Sequence, residues 1–168
     1  MKLDRQPLIP RAELKPGISE CFAQGRELLE SAALLAERGK ARSAADLFVL
    51  AAQELGKAVL LREAYDSGEP MPRIVSFSDH DMKVAKGAVV LGSSAMWLTA
   101  PALQDNAFQS DAFQTGIPAN EPTRLQVLYV NYGTTGWLKA PTVDVATIAT
   151  NVRSALADLP VKEKELLR

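Results

Sequence analysis

Residues 41–66 read ARSAADLFVLAAQELGKAVLLREAYD. At 100° per residue, Leu47, Phe48, Leu50, Ala51, Ala52, Leu55, Ala58, Val59 and Leu61 fall on one broad side, with Asp46, Gln53 and Lys57 flanking it. The spacing predicts a helix from about Ala41 to Asp66. Ser67-Gly68-Glu69-Pro70 ends it, and Pro72 keeps the following chain extended.

Upstream, a second helical period starts at Gly17. Phe22, Leu28, Leu29, Ala32, Ala33, Leu35 and Ala36 share a side opposite Glu27, Glu30, Glu37 and Arg38, and Gly39 is a natural stop. Gly25, Ala32, Ala36 and Gly39 are small enough to let another helix approach closely. Before this helix, Pro7, Pro10 and Pro16 predict an extended arm over residues 1–16.

Downstream, Ser78 is a suitable N-cap for a third helix, with Asp79 and Asp81 in its first turn, where negative charge suits the helix dipole. Ser78 and Asp81 approximate a capping box. This helix continues through Val84, Ala88, Leu91 and Leu98 towards Pro101. Residues 104–123 form a polar loop containing Phe108 and Phe113, which covers the body or meets a partner. LQVLYVNY, residues 125–132, is prone to form a strand and is bounded by Gly133-Thr-Thr-Gly136. Pro141 is expected to open a last helix, in which Val145, Ile148, Ala149, Val152, Leu156 and Leu159 make an amphipathic stripe. Residues 161–168 read as a charged, solvated tail. Residues 17–160 therefore make one mainly α domain, a helical bundle of four to five helices with a long loop and at most a short β-hairpin. The lack of repeated βα units argues against a Rossmann-type or barrel fold.

Composition narrows the function classes. With 168 residues, 47% of them hydrophobic, the chain can bury one real core. Nineteen basic residues against twenty acidic ones give a net charge of −1, so any nucleic-acid contact must come from a local patch. One cysteine, Cys21, excludes an intramolecular disulfide and a four-cysteine zinc site; its apolar helical position suits a small core residue. The first residues carry prolines and charges in place of an apolar signal run. Ala88–Ala100, the most lipid-like stretch, falls short of the roughly 20 residues a spanning helix needs. A cytoplasmic protein with no membrane partner is expected.

Two residues stand out as candidates for chemistry. Glu54 falls within the apolar face of its helix, and a carboxylate there requires a cation. Lys57, one turn on, is a local partner; Arg26, Arg73 and Lys83 are distant ones. Glu54 is either a structural ion pair or part of a polar pocket beside the chain's one histidine, His80. In a first turn, the dipole favours neutral imidazole while Asp79 and Asp81 favour the charged form. Both proton roles stay open: base when neutral, acid when protonated. Arg73 precedes His80 with six residues between, and an arginine near a histidine suits phosphodiester cleavage. A capping or surface histidine is the plainer alternative. One histidine and no cysteine pair leave a poor metal-ligand set, no P-loop or GxSxG elbow occurs, and no cofactor is expected.

Three segments, in order, resemble the abortive-infection family AbiV, a branch of the HEPN superfamily. Ala51-Ala-Gln-Glu54-Leu-Gly56-Lys57-Ala58 is similar to its Glu-Glu-x-Gly-Lys-Ala helix. Phe77-Ser-Asp-His80-Asp-Met-Lys83 is similar to its Phe-x-x-His-x-x-Lys segment. Arg124-Leu-Gln-Val-Leu-Tyr129-Val-Asn131, followed by Trp137 and Pro141, resembles its Leu-Tyr-Val-Asp segment. Gln53 and Asn131 depart from the family's acidic residues and remove negative charge. The resemblance spans about residues 20–160 and implies a HEPN-like bundle in a bacterial antiphage protein that halts growth or translation. It also implies a metal-independent ribonuclease that works as a homodimer. RNA (tRNA, mRNA or rRNA) is the implied substrate and a phage protein the implied activator. Arg73 and His80 match the superfamily's Arg-x(4–6)-His motif at its long end, as catalytic residues, with Glu54, Lys57, Lys83, Tyr129 and Asn131 supporting. The alternative is a non-catalytic helical protein that binds a phage or translation-machinery partner.

Overall fold

In a computed structural model, the structure describes residues 8–68, 71–72, 80–92, 131–133, 136–138 and 144–168. These form β1 (Leu8–Ile9), α1 (Arg11–Glu37), α2 (Ala41–Ser67), β2 (Met71–Pro72), α3 (His80–Leu91), β3 (Asn131–Gly133), β4 (Gly136–Leu138) and α4 (Val145–Leu167). The protein is a mainly α helical bundle. Two minimal antiparallel ladders accompany it, β1 with β2 and β3 with β4. The second, pairing Asn131 with Leu138 and Gly133 with Gly136, realises the expected short hairpin around Gly133-Thr-Thr-Gly136.

α1 and α2 form an antiparallel pair closed by a tight turn. Gly39 takes a left-handed φ of 71°, its N–H bonds Ala36 O at 2.9 Å, and Lys40 N–H bonds Leu35 O at 2.9 Å. That crossed pair satisfies carbonyls that a helix end otherwise leaves open. Gly68, with a φ of 71°, ends α2 in the same backbone conformation. Between the two helices, Ile18, Phe22 and Leu29 interleave with Phe48, Leu55 and Leu61. Gly25 allows the approach expected of it: a Cβ there would meet Leu55 at 3.0 Å. α4 closes the core with Ile148, Val152, Ala155 and Leu159, each 1% exposed or less.

Three boundaries differ from the sequence expectation. α1 begins at Arg11, so the extended arm ends at Pro10 and Pro16 lies inside the helix. Proline there removes one backbone hydrogen bond, but the burial of Leu14 and Ile18 on either side holds the helical path. α3 is described from His80, while Ser78, its expected N-cap, and residues 93–101 lie outside the described residues. α4 begins at Val145, not Pro141, because Asp144 caps it: its carboxylate accepts from Thr147 N–H at 2.7 Å. α4 then runs through Pro160 to Leu167, so residues 161–167, exposed or half-buried, continue the helix. Glu163 pairs with Arg26 at 2.9 Å, Arg62 donates to Leu166 O at 2.8 Å, and Leu166 and Leu167 pack against the core. The 104–123 loop and residues 125–130 also lie outside the described residues. Among the described residues no helix is long and apolar enough to cross a membrane.

Candidate functional site

Glu54 is turned inward on α2, as its position in the helical period requires, and the cation it needs comes from its own helix. Lys57 Nζ donates to both carboxylate oxygens at 2.6 Å. The two side chains are half-buried, at 24% and 23% exposure. Arg26, one of the distant cations, is engaged by Glu163 instead.

Cys21 of α1 borders this pair. Burial pushes its thiol up to about 11; the Glu54 carboxylate adds to that rise and Lys57 opposes it. A thiol so disposed stays protonated at neutral pH and is a poor nucleophile or metal ligand. Cys21 therefore fits the packing role expected of it. Among the described residues no three His, Cys, Asp or Glu come together in a group that could hold a metal ion.

On another side of α2 the chain makes a much closer contact. A Cβ at Gly56 would lie 1.8 Å from the carbonyl oxygen of Lys83, and one at Gly87 would lie 1.8 Å from that of Ala52. The two glycines let backbone meet backbone, at a separation that suits Cα–H···O=C contacts. Because Gly56 meets residue 83 and Ala52 meets residue 87, α3 runs antiparallel to α2. The residue pairs Ala52/Gly56 and Lys83/Gly87, each four apart, carried this contact in the sequence. The apolar pattern singled out neither glycine; Gly56 stood out only within the family motif.

Gln53 and Lys83 accompany this seam. Gln53 does not flank the apolar face at the surface; it is buried at 4% exposure, and its Nε2 has no hydrogen-bond partner among the described residues. A neutral amide costs less to bury there than the carboxylate it replaces in the resembling motif. Lys83, also buried, is 2% exposed. Glu54 lies two residues, or about 200° of helical turn, from both Ala52 and Gly56. It therefore points away from α3, towards the α1 side. The structure brings Glu54 and Lys57 together, on a side of α2 other than the one that meets α3 at Gly56.

The backbone of His80 is the first residue of α3. Its side chain lies outside the described atoms, and Arg73 and Tyr129 lie outside the described residues. Asn131 takes its place in β3, opposite Leu138.

A family model described as AbiV matches residues 13–157 of the chain. No curated protein and no solved structure matches.

Proposed function

Because the chain belongs to the AbiV family of HEPN proteins, proteins of abortive-infection defence, we propose that it is an effector that halts growth by cleaving RNA without a metal. His80 and Arg73 carry the chemistry. A neutral His80 imidazole takes the proton from a ribose 2′-OH, and the 2′-oxygen then attacks the adjacent phosphorus. The bond to the 5′-oxygen breaks, that oxygen takes a proton from an imidazolium, and a 2′,3′-cyclic phosphate and a 5′-hydroxyl result. The Arg73 guanidinium holds the phosphate and the charge that develops on it. Two copies of the chain, paired as a homodimer, supply the base and the acid that one histidine cannot supply at once.

The observation that carries this reading is the position of His80. It opens α3, whose backbone is fixed on α2 through Gly56 and Gly87. That contact gives the His80 backbone a fixed place beside α2, and holding a reacting group in place is what proton transfer needs.

The test compares growth arrest and RNA integrity for the wild type, His80→Ala and Arg73→Ala. Loss of a general acid–base group is expected to slow cleavage by about 10²-fold or more. If both variants arrest growth as the wild type does while RNA stays intact, the ribonuclease reading fails and the protein acts by binding a partner.

A further inference from the structure

One end of the bundle gathers cations that the proposed chemistry does not use. α1 and α3 both run antiparallel to α2, and Arg62 reaches Leu166 O near the end of α4. The starts of α1 and α3 and the ends of α2 and α4 therefore share one end of the molecule, opposite the turn at Gly39. The His80 backbone is at this end. So is Tyr65, a half-buried ring on α2 around which three cations converge. The Arg11 guanidinium lies 4.6 Å from the ring centroid, the Lys15 ammonium 4.8 Å and the Arg62 guanidinium 6.0 Å.

These three cations are not balanced equally. Arg62 is paired with Asp66 at 2.7 Å. Among the described residues no carboxylate makes an ion pair with Arg11 or Lys15. Two positive charges held on the same ring repel each other, and the ring quadrupole offsets only part of that cost. An arriving anion would relieve it. Beside the cluster opens a cleft of about 280 Å³ with Leu8, Ile9, Leu14 and Ala64 in its walls, and with Arg11 lining it too. The cleft is near the small end of ligand-sized pockets, which run from about 300 to 1,000 Å³. An apolar cleft that could receive a base, next to cations with no carboxylate partner among the described residues, is the chemistry that holds unstacked single-stranded nucleic acid.

We propose that this end of the bundle, through Arg11, Lys15 and the cleft beside them, docks single-stranded RNA and delivers it towards the start of α3. The fate of the bound strand rests on the ribonuclease reading above; the docking itself does not. With nineteen basic and twenty acidic residues in the chain, such a local patch is the form an RNA contact has to take.

The probe is a fluorescein-labelled, mixed-sequence, 20-nucleotide single-stranded RNA. Its anisotropy is followed on the full chain carrying His80→Ala, so that binding is read without turnover. Adding Arg11→Gln and Lys15→Gln is expected to raise Kd about tenfold and to reduce the slope of log Kd against log salt by roughly 1.4, as for two lost phosphate contacts. Arg38→Gln with Lys40→Gln, at the opposite end, should leave Kd unchanged. If thermal melts show the double variant at Arg11 and Lys15 to be unfolded, Lys15→Gln alone is read, with a Kd rise of about threefold expected. An unchanged Kd in the folded variants, no binding by the His80→Ala parent, or equal competition by poly-glutamate would overturn the docking surface. Failure of the wild type to cleave RNA, with binding still dependent on Arg11 and Lys15, would remove the ribonuclease reading and leave the docking surface standing.

Discussion

Gly56 and Gly87 are held by a constraint that no other side chain satisfies. The atoms a new Cβ would meet are backbone carbonyls, which cannot swing aside as a flexible side chain can. Gly56→Ala is therefore expected to cost roughly 3 kcal/mol by urea denaturation, despite alanine's better helix propensity. Gly39→Ala is a useful contrast: nothing lies within 4 Å of its new methyl, and only the left-handed φ of 71° opposes it. About 1 kcal/mol is expected there. Equal costs at the two sites would show that α2 and α3 are not in backbone contact. Glu54 was legible at this scale because helical period alone turned it inward, and Lys57 was its nearest cation. Gln53 was misplaced because its burial comes from outside α2, which the period of α2 does not describe.

Helix bodies were more legible than helix ends. The bounds of α2 follow the expectation within a residue, since a wide apolar face and the Gly68 stop coincide. α1 and α4 were harder, because a proline inside a helix looks locally like a boundary. Pro16 and Pro160 are both tolerated where flanking side chains are buried: Leu14 and Ile18 in one case, Leu159 in the other. At the start of α4, Asp144 outranked Pro141 by supplying an acceptor for the Thr147 hydroxyl and backbone N–H, and those bonds hold its carboxyl below the ordinary aspartate value of 3.8. A depressed carboxyl stabilises the fold above pH 3.8, and that stabilisation is lost as pH falls through the lower folded value. Asp144→Ala should thus lower the melting temperature by a few degrees at pH 7. The gap from the wild type should narrow progressively below pH 3.8; a gap independent of pH would rule out the charged cap as its source.

At the scale of the whole molecule, α4 ties the bundle together through its last turns as well as its apolar stripe. Deleting residues 161–168 removes Glu163 from Arg26, the Leu166 carbonyl from Arg62, and two partly buried leucines from the core. A loss of about 2 kcal/mol is expected, chiefly from the leucines, measured by denaturant titration. Unchanged stability would return this segment to the status of a solvated tail. By itself the sequence determined the helical class, the bodies of α1 and α2, the inward Glu54 with its lysine, and the family through ordered motifs, because period, turn chemistry and motif spacing are local properties of the chain. Only the tertiary structure decided that Glu54 faces α1 while α3 packs elsewhere on α2, that Gly87 answers Gly56, and that Arg11 and Lys15 meet Arg62 around Tyr65. Each of those depends on which faces of separate helices meet. That choice is made by close packing and backbone approach between segments far apart in the chain, which no local pattern encodes.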